Sequence, residues 1–68
     1  MKSSIKLYDG EEWYLMYTYM NDHLLEIIPF QTDCFDKRTY LPDGRYNLLS
    51  GGFMDIKDKK IVFIQYEK

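Results

Sequence analysis

A small antiparallel all-β domain, either a barrel or a rolled sheet of five to seven short strands, is the architecture that three observations point to. The 68 residues contain no alanine and one valine against seven tyrosines and six isoleucines, a bias away from helix formers and toward strand formers. Turn signals recur at short intervals, with apolar and aromatic runs between them. The length allows one core only, so residues 1–68 read as a single domain. A chain of this size buries roughly 60% of the surface its unfolded form exposes, so the core must be dense. Aromatics make up 18% of the residues and supply that area, at roughly 150–250 Å² each, which also argues against disorder.

Taken in order, Ile5 to Tyr8 form a first short strand that ends in a turn at Asp9-Gly10. Asn21-Asp22 is a two-residue pair of the kind that accepts positive φ, and it sets up the first hairpin. Direct pairing across it matches Met20 with His23, Thr18 with Leu25, Tyr17 with Glu26 and Met16 with Ile27. One face then carries Trp13, Leu15, Tyr17 and Tyr19 beside Leu24, Glu26, Ile28 and Phe30. The other carries Tyr14, Met16, Thr18 and Met20 beside His23, Leu25, Ile27 and Pro29. Both faces are largely apolar, so the hairpin is either covered on both sides or meets a partner on one. A short helix over 22–28, capped by Asn21 or Asp22 and stopped by Pro29, competes with this strand.

Leu41-Pro42-Asp43-Gly44 is the most specific turn signal, with proline presetting φ and glycine accepting the left-handed position. It is expected to join Lys37–Leu41 to Arg45–Leu49 as a second hairpin. Gly51-Gly52 then serves as a corner or bulge before a third hairpin about Asp58-Lys59, which pairs Ile56 with Ile61 and Met54 with Phe63. In length and hairpin density the chain resembles the small SH3-like barrels. It matches no family motif from which functional residues could be carried over.

Little in the chain has the spacing that chemistry requires. Cys34 is the single cysteine and His23 the single histidine, which precludes an internal disulfide and a multi-thiolate zinc site. A Cys34–His23 dyad would need an orienting group and an oxyanion site, and His23 beside a turn with Cys34 as a small hydrophobe is the plainer reading. Asp33 and Asp36 flank Cys34 without the spacing of a calcium loop and read as turn formers. Gly51-Gly52 lacks the spaced glycines and lysine of a phosphate loop. No cofactor and no metal are expected, and the chain is not expected to be an enzyme.

The start of the chain has no signal-peptide pattern, and the longest apolar run, Trp13 to Tyr17, is far short of the ~20 residues of a membrane span. A cytoplasmic protein without membrane association is therefore expected. Lysine, isoleucine and tyrosine in excess, with no alanine, match an AT-rich genome such as that of a phage or mobile element of a low-GC bacterium.

Two functional readings follow. The run from Trp13 to Met20 carries the residue types enriched in protein interfaces, so Trp13, Tyr14, Met16, Tyr17 and Tyr19 are the candidate protein-binding residues. Asp9, Glu11 and Glu12 would form the polar rim. Tyr14 and Met16 are expected to face outward, because Trp13, Leu15, Ile28 and Phe30 make the bulkier core row. The protein would then be a small adaptor or inhibitor docking on a larger protein, with a self-association seam as the variant of this reading. The second reading rests on charge: residues 1–36 carry a balance of −5 and residues 37–60 one of +3. Lys37, Arg38, Arg45, Lys57, Lys59 and Lys60 could track a single nucleic-acid strand, with bases stacking on Tyr40, Tyr46 or Trp13. Against it stands the isoelectric point near 5.2.

Overall fold

The computed structural model describes residues 3–66, and these contain seven strands and no helix. The strands are β1 (Ser4–Lys6), β2 (Glu12–Met20), β3 (His23–Thr32), β4 (Arg38–Tyr40), β5 (Gly44–Asn47), β6 (Gly52–Lys57) and β7 (Lys60–Tyr66). They form two antiparallel sheets, of order β1-β2-β3-β4 and β5-β6-β7.

The two-residue turns are where local chemistry decides the outcome. Asn21 and Asp22 both adopt positive φ (51° and 65°), as do Asp58 and Lys59 (52° and 73°), the backbone of the type I′ hairpin. The first of these turns removes the expected helix over 22–28, since β3 starts directly at His23. Pro29 does not interrupt β3 although it lies inside it. Leu15, its partner on β2, donates its N–H to Ser3 on the β1 side at 2.6 Å, so it asks for no donor from Pro29. The missing N–H therefore falls on the β4 side, one residue beyond the last pair, Phe30 with Tyr40.

Two bulges correct the expected registers. On β3, Leu25 is left unpaired: Met20 faces His23 and Tyr19 faces Leu24, but Thr18 faces Glu26, Tyr17 faces Ile27 and Met16 faces Ile28. Below the bulge the row containing Trp13, Leu15 and Tyr17 therefore lies beside Ile27 and Pro29, while Tyr14 and Met16 lie beside Phe30 and Ile28. Ile28 and Phe30 are thus on the opposite face from Trp13. On β7, Val62 is the extra residue, so Met54 pairs with Ile64 and Phe63 turns to the outer face opposite Asp55.

Leu41 to Gly44 is a crossing between sheets rather than a hairpin. β4 pairs with β3, β5 pairs with β6, and Leu41 between them is buried. The hairpin partner of β5 is β6, and the turn between them is closed by Gly51 N–H donating to Leu48 O at 3.1 Å. Gly51 and Gly52 both have positive φ (102° and 84°), so this turn requires residues that accept it. The two sheets meet at one bridge, Leu7 with Leu48, and do not close into a barrel.

The core lies between the sheets. Trp13 from the first sheet, Met54 and Ile56 from the second, and Leu7, Leu41 and Leu48 from the connections are buried, with Ile5, Tyr46, Ile61 and Ile64 packed against them. The radius of gyration is 12.2 Å, above the ~11 Å expected of a compact chain of this length. β1 pairs with β2 only from Glu12 to Tyr14, and β4 with β3 only from Phe30 to Thr32, so within its sheet the rest of the β2–β3 hairpin is a two-stranded arm, with β7 packed against β3 and Lys60 reaching Glu26.

Candidate functional site

The arm ends in a run of seven exposed residues, from Tyr19 to Leu25. Four are large and apolar: Tyr19 is 63% exposed, Met20 62%, Leu24 49% and Leu25 56%. The tight turn holds them together, because Tyr19 and Leu24 are direct cross-strand neighbours and the bulge tips Leu25 out of the ladder. With side chains on the order of 150–250 Å², the four leave roughly 400–500 Å² of apolar surface, the size at which a patch on a small protein is usually functional.

Of the residues expected to bind protein, Tyr19 belongs to this tip and Tyr14 is half exposed at the base of the arm, facing outward. Met16 and Tyr17 are half-buried along the arm on opposite faces. Trp13 is 5% exposed and belongs to the core, so it offers no surface. The expected acidic rim lies elsewhere. Asp9 accepts a hydrogen bond from the Glu11 N–H and Glu12 accepts one from the Ser4 hydroxyl, both at the end of β2 remote from the tip. At ~3.3 Å per residue, Glu12 and Met20 are about 26 Å apart. Met20, Leu24 and Leu25 were not singled out from sequence. Their signal was a turn flanked on both sides by apolar residues with no lysine or arginine near it.

A second surface covers the Tyr14 face of the first sheet. Tyr14, Phe30 and Tyr40 stand opposite one another on three neighbouring strands, and the rings of Tyr14 and Phe30 are 6.0 Å apart. The Arg38 guanidinium lies 4.8 Å from the Phe30 ring centre and donates to Met16 Sδ, and the Lys59 ammonium lies 4.9 Å from the Tyr40 ring.

The remaining basic residues are scattered. Arg45 is paired with Asp55 at 2.8 Å and lies 4.1 Å over Phe53. That hydrogen bond holds the Asp55 carboxyl below its usual range and raises Arg45. Lys60 pairs with Glu26 at 3.3 Å, linking β7 to β3, while Lys37 and Lys57 are exposed. Tyr46 is packed on the core and donates its hydroxyl to Pro42 O, so neither it nor Trp13 is placed to stack a base.

His23 begins β3 and Cys34 follows its end, so about 30 Å of strand separates them and they form no dyad. Asp33 is a turn former, its Oδ1 accepting from the N–H groups of Phe35 and Lys37. No group of three His, Cys, Asp or Glu side chains suited to a metal ion occurs among the described residues. A cleft of about 410 Å³ opens where the sheets part, bordered by Ile5, Leu15, Tyr17, Leu49, Ser50 and Tyr66. No helix among the described residues is long and apolar enough to cross a membrane. The chain matches no protein-family model, no curated protein and no solved structure.

Proposed function

We propose that the chain is a non-catalytic interaction module, a small adaptor or inhibitor that docks on a larger protein through the tip of the β2–β3 arm. The observation that carries this reading is the cluster of Tyr19, Met20, Leu24 and Leu25, apolar and about half or more exposed at the end of a projecting hairpin. Burying it in a partner's pocket would remove roughly 400–500 Å² of apolar area from water, at ~25 cal/mol per Å². The mechanism is steric: the arm inserts, and the two-sheet body either blocks a site or bridges to another protein. Tyr14 and Tyr17 extend the contact along the arm.

Capture from a lysate of a low-GC bacterium, with and without nuclease, tests this when wild type is compared with Tyr19→Ala and Leu24→Ala. A stoichiometric protein band that survives nuclease and is lost with the tip variants is the expected result. A band retained equally by both variants overturns the assignment to the tip.

A second reading is supported by the aromatic row. Tyr14, Phe30 and Tyr40 with Arg38 and Lys59 form a set on which the bases of a single strand could stack, beside cations for its phosphates. Binding of this kind falls steeply with salt, and Arg38→Ala would weaken it. It ranks second because Arg38 and Lys59 already occupy the ring faces that bases would use, and because the chain is acidic overall.

A further inference from the structure

On the Tyr14 face of the first sheet, three rings form a line across the strands. Tyr14 stands opposite Phe30 and Phe30 opposite Tyr40, so the line crosses β2, β3 and β4 at ~4.8 Å per step. Two of the rings carry a cation, Arg38 at 4.8 Å from Phe30 and Lys59 at 4.9 Å from Tyr40. Tyr14 carries none from the described residues and is 51% exposed. Neither cation has a carboxylate partner among the described residues, in contrast to Arg45 with Asp55 and Lys60 with Glu26. The carboxylates on this face are engaged elsewhere, Glu26 by Lys60 and Glu12 by the Ser4 hydroxyl. The sequence before Ser3 holds no acid. The end of β7 is remote from both cations. Tyr66 borders the cleft with Leu15 and Tyr17, on the opposite face of the sheet from Met16 and Arg38. β7 itself puts about 20 Å between Tyr66 and the turn that holds Lys59.

We infer that this face binds an acidic segment of a partner protein, extended across the strands, with the pattern acid-x-acid-x-apolar. Its two carboxylates meet Lys59 and Arg38, and its apolar side chain covers Tyr14. The spacing supports the pattern. Directly opposed residues have Cβ atoms ~4.5–5.5 Å apart, and the two cations and the bare ring reach out beyond them. Alternate residues of an extended segment lie on one side at a step of ~6.6–6.8 Å, which follows such a line.

The cations over the rings favour a peptide over a nucleic-acid strand. A guanidinium lays its face on a ring and offers its N–H edge to an acid, so Arg38 does both at once. It spends one donor on Met16 Sδ and keeps the rest. Bases would need the ring faces themselves, and two of the three are taken. The contact is separate from the tip, since β3 puts about 23 Å between His23 and Phe30. The module would therefore hold one partner at two points, or two partners at once.

NMR titration of the 15N-labelled full chain with a blocked pentapeptide, glutamate-serine-glutamate-serine-leucine, tests the inference. Expected are shifts concentrated at the Arg38 Nε–H and at the amides of Tyr14, Phe30, Tyr40 and Lys59, with a dissociation constant on the order of 0.1–1 mM. Glutamine in place of both glutamates is expected to weaken binding at least about tenfold, and Arg38→Gln and Lys59→Gln about threefold or more each. Raising salt from about 50 to about 500 mM is expected to weaken it as well. A peptide that binds no more tightly than its glutamine version overturns the inference. So do shifts spread evenly over Lys37, Arg45 and Lys57, or unchanged affinity in both Arg38→Gln and Lys59→Gln. A thymidine decanucleotide that shifts the same resonances more strongly at equal concentration assigns the face to nucleic acid and overturns it too. None of these results bears on capture of a larger protein by the tip, which Tyr19→Ala and Leu24→Ala read, so the two proposals fail separately. Far-UV circular dichroism checks that each variant keeps its strands.

Discussion

Trp13 shows how one side chain can be read in two ways. It is 5% exposed, yet its indole N–H has no hydrogen-bond partner among the described residues. A buried donor left unsatisfied costs ~1–3 kcal/mol, which offsets part of what the ring contributes by burial. Trp13→Phe removes that donor and keeps most of the apolar area, so it is expected to cost less than about 2 kcal/mol. Trp13→Ala empties the site and is expected to cost about 3–5 kcal/mol. Urea denaturation followed by circular dichroism separates them, and equal losses would mean that the indole N–H is in fact paired. From sequence, Trp13 stood both in the bulkier core row and among the candidate protein-binding residues, because both rows of β2 are apolar and alternation alone does not say which row faces in. What decides it is the convergence of Leu7, Leu41 and Leu48 from distant positions on one face. Tyr14, by contrast, was expected to face outward and is half exposed, whereas Tyr19, expected on the same face as Trp13, is exposed because it lies at the tip beyond the core.

At the scale of the element, turns were legible and registers were not. Asn21-Asp22 and Asp58-Lys59 carry their own signal, since the residue types that tolerate positive φ are few. A bulge has no comparable mark. Leu25 and Val62 are ordinary strand residues, and each is the extra residue at which its hairpin's register shifts. One extra residue then moves every later side chain to the other face, which is why Ile28, Phe30 and Phe63 were misassigned. Leu41-Pro42-Asp43-Gly44 carries turn chemistry, but local chemistry does not say whether the two arms pair with each other or with other strands. The first turn itself can be improved. Asp22 holds φ at 65°, and glycine adopts that conformation without strain. Asp22→Gly is expected to stabilise the fold by about 0.5–1 kcal/mol, raising Tm by roughly 2–8 °C. A lower Tm in calorimetry would show that the arm does not depend on this turn for its geometry.

For the whole molecule, the question is whether two sheets make one folding unit. Neither has a core of its own. The buried cluster takes Trp13 from the four-stranded sheet, Met54 and Ile56 from the three-stranded one, and Leu7 and Leu48 from the single bridge joining them. The charge asymmetry along the chain does not coincide with the sheets: the acidic residues 1–36 include β1 to β3, the basic stretch begins with β4 of the same sheet and runs on through β5 and β6, and Lys60 reaches back to Glu26. That exposed pair contributes about 0–1 kcal/mol, so it orients the sheets without holding them. Burial holds them, and it is shared. A domain of this length has roughly 3–10 kcal/mol of stability in total. Leu48→Ala, at a site 2% exposed, is expected to remove about 2–5 kcal/mol of it. The loss should appear in both sheets at once, because the cavity opens in the layer they share. In urea, Trp13 fluorescence reports the first sheet and hydrogen exchange at the β6 and β7 amides reports the second. Coincident transitions are expected for the wild type, displaced together to lower urea in Leu48→Ala. If protection from exchange in β6 and β7 persists after Trp13 has been exposed, the three-stranded sheet stands alone, and the arm is then carried by a body that can come apart when it docks.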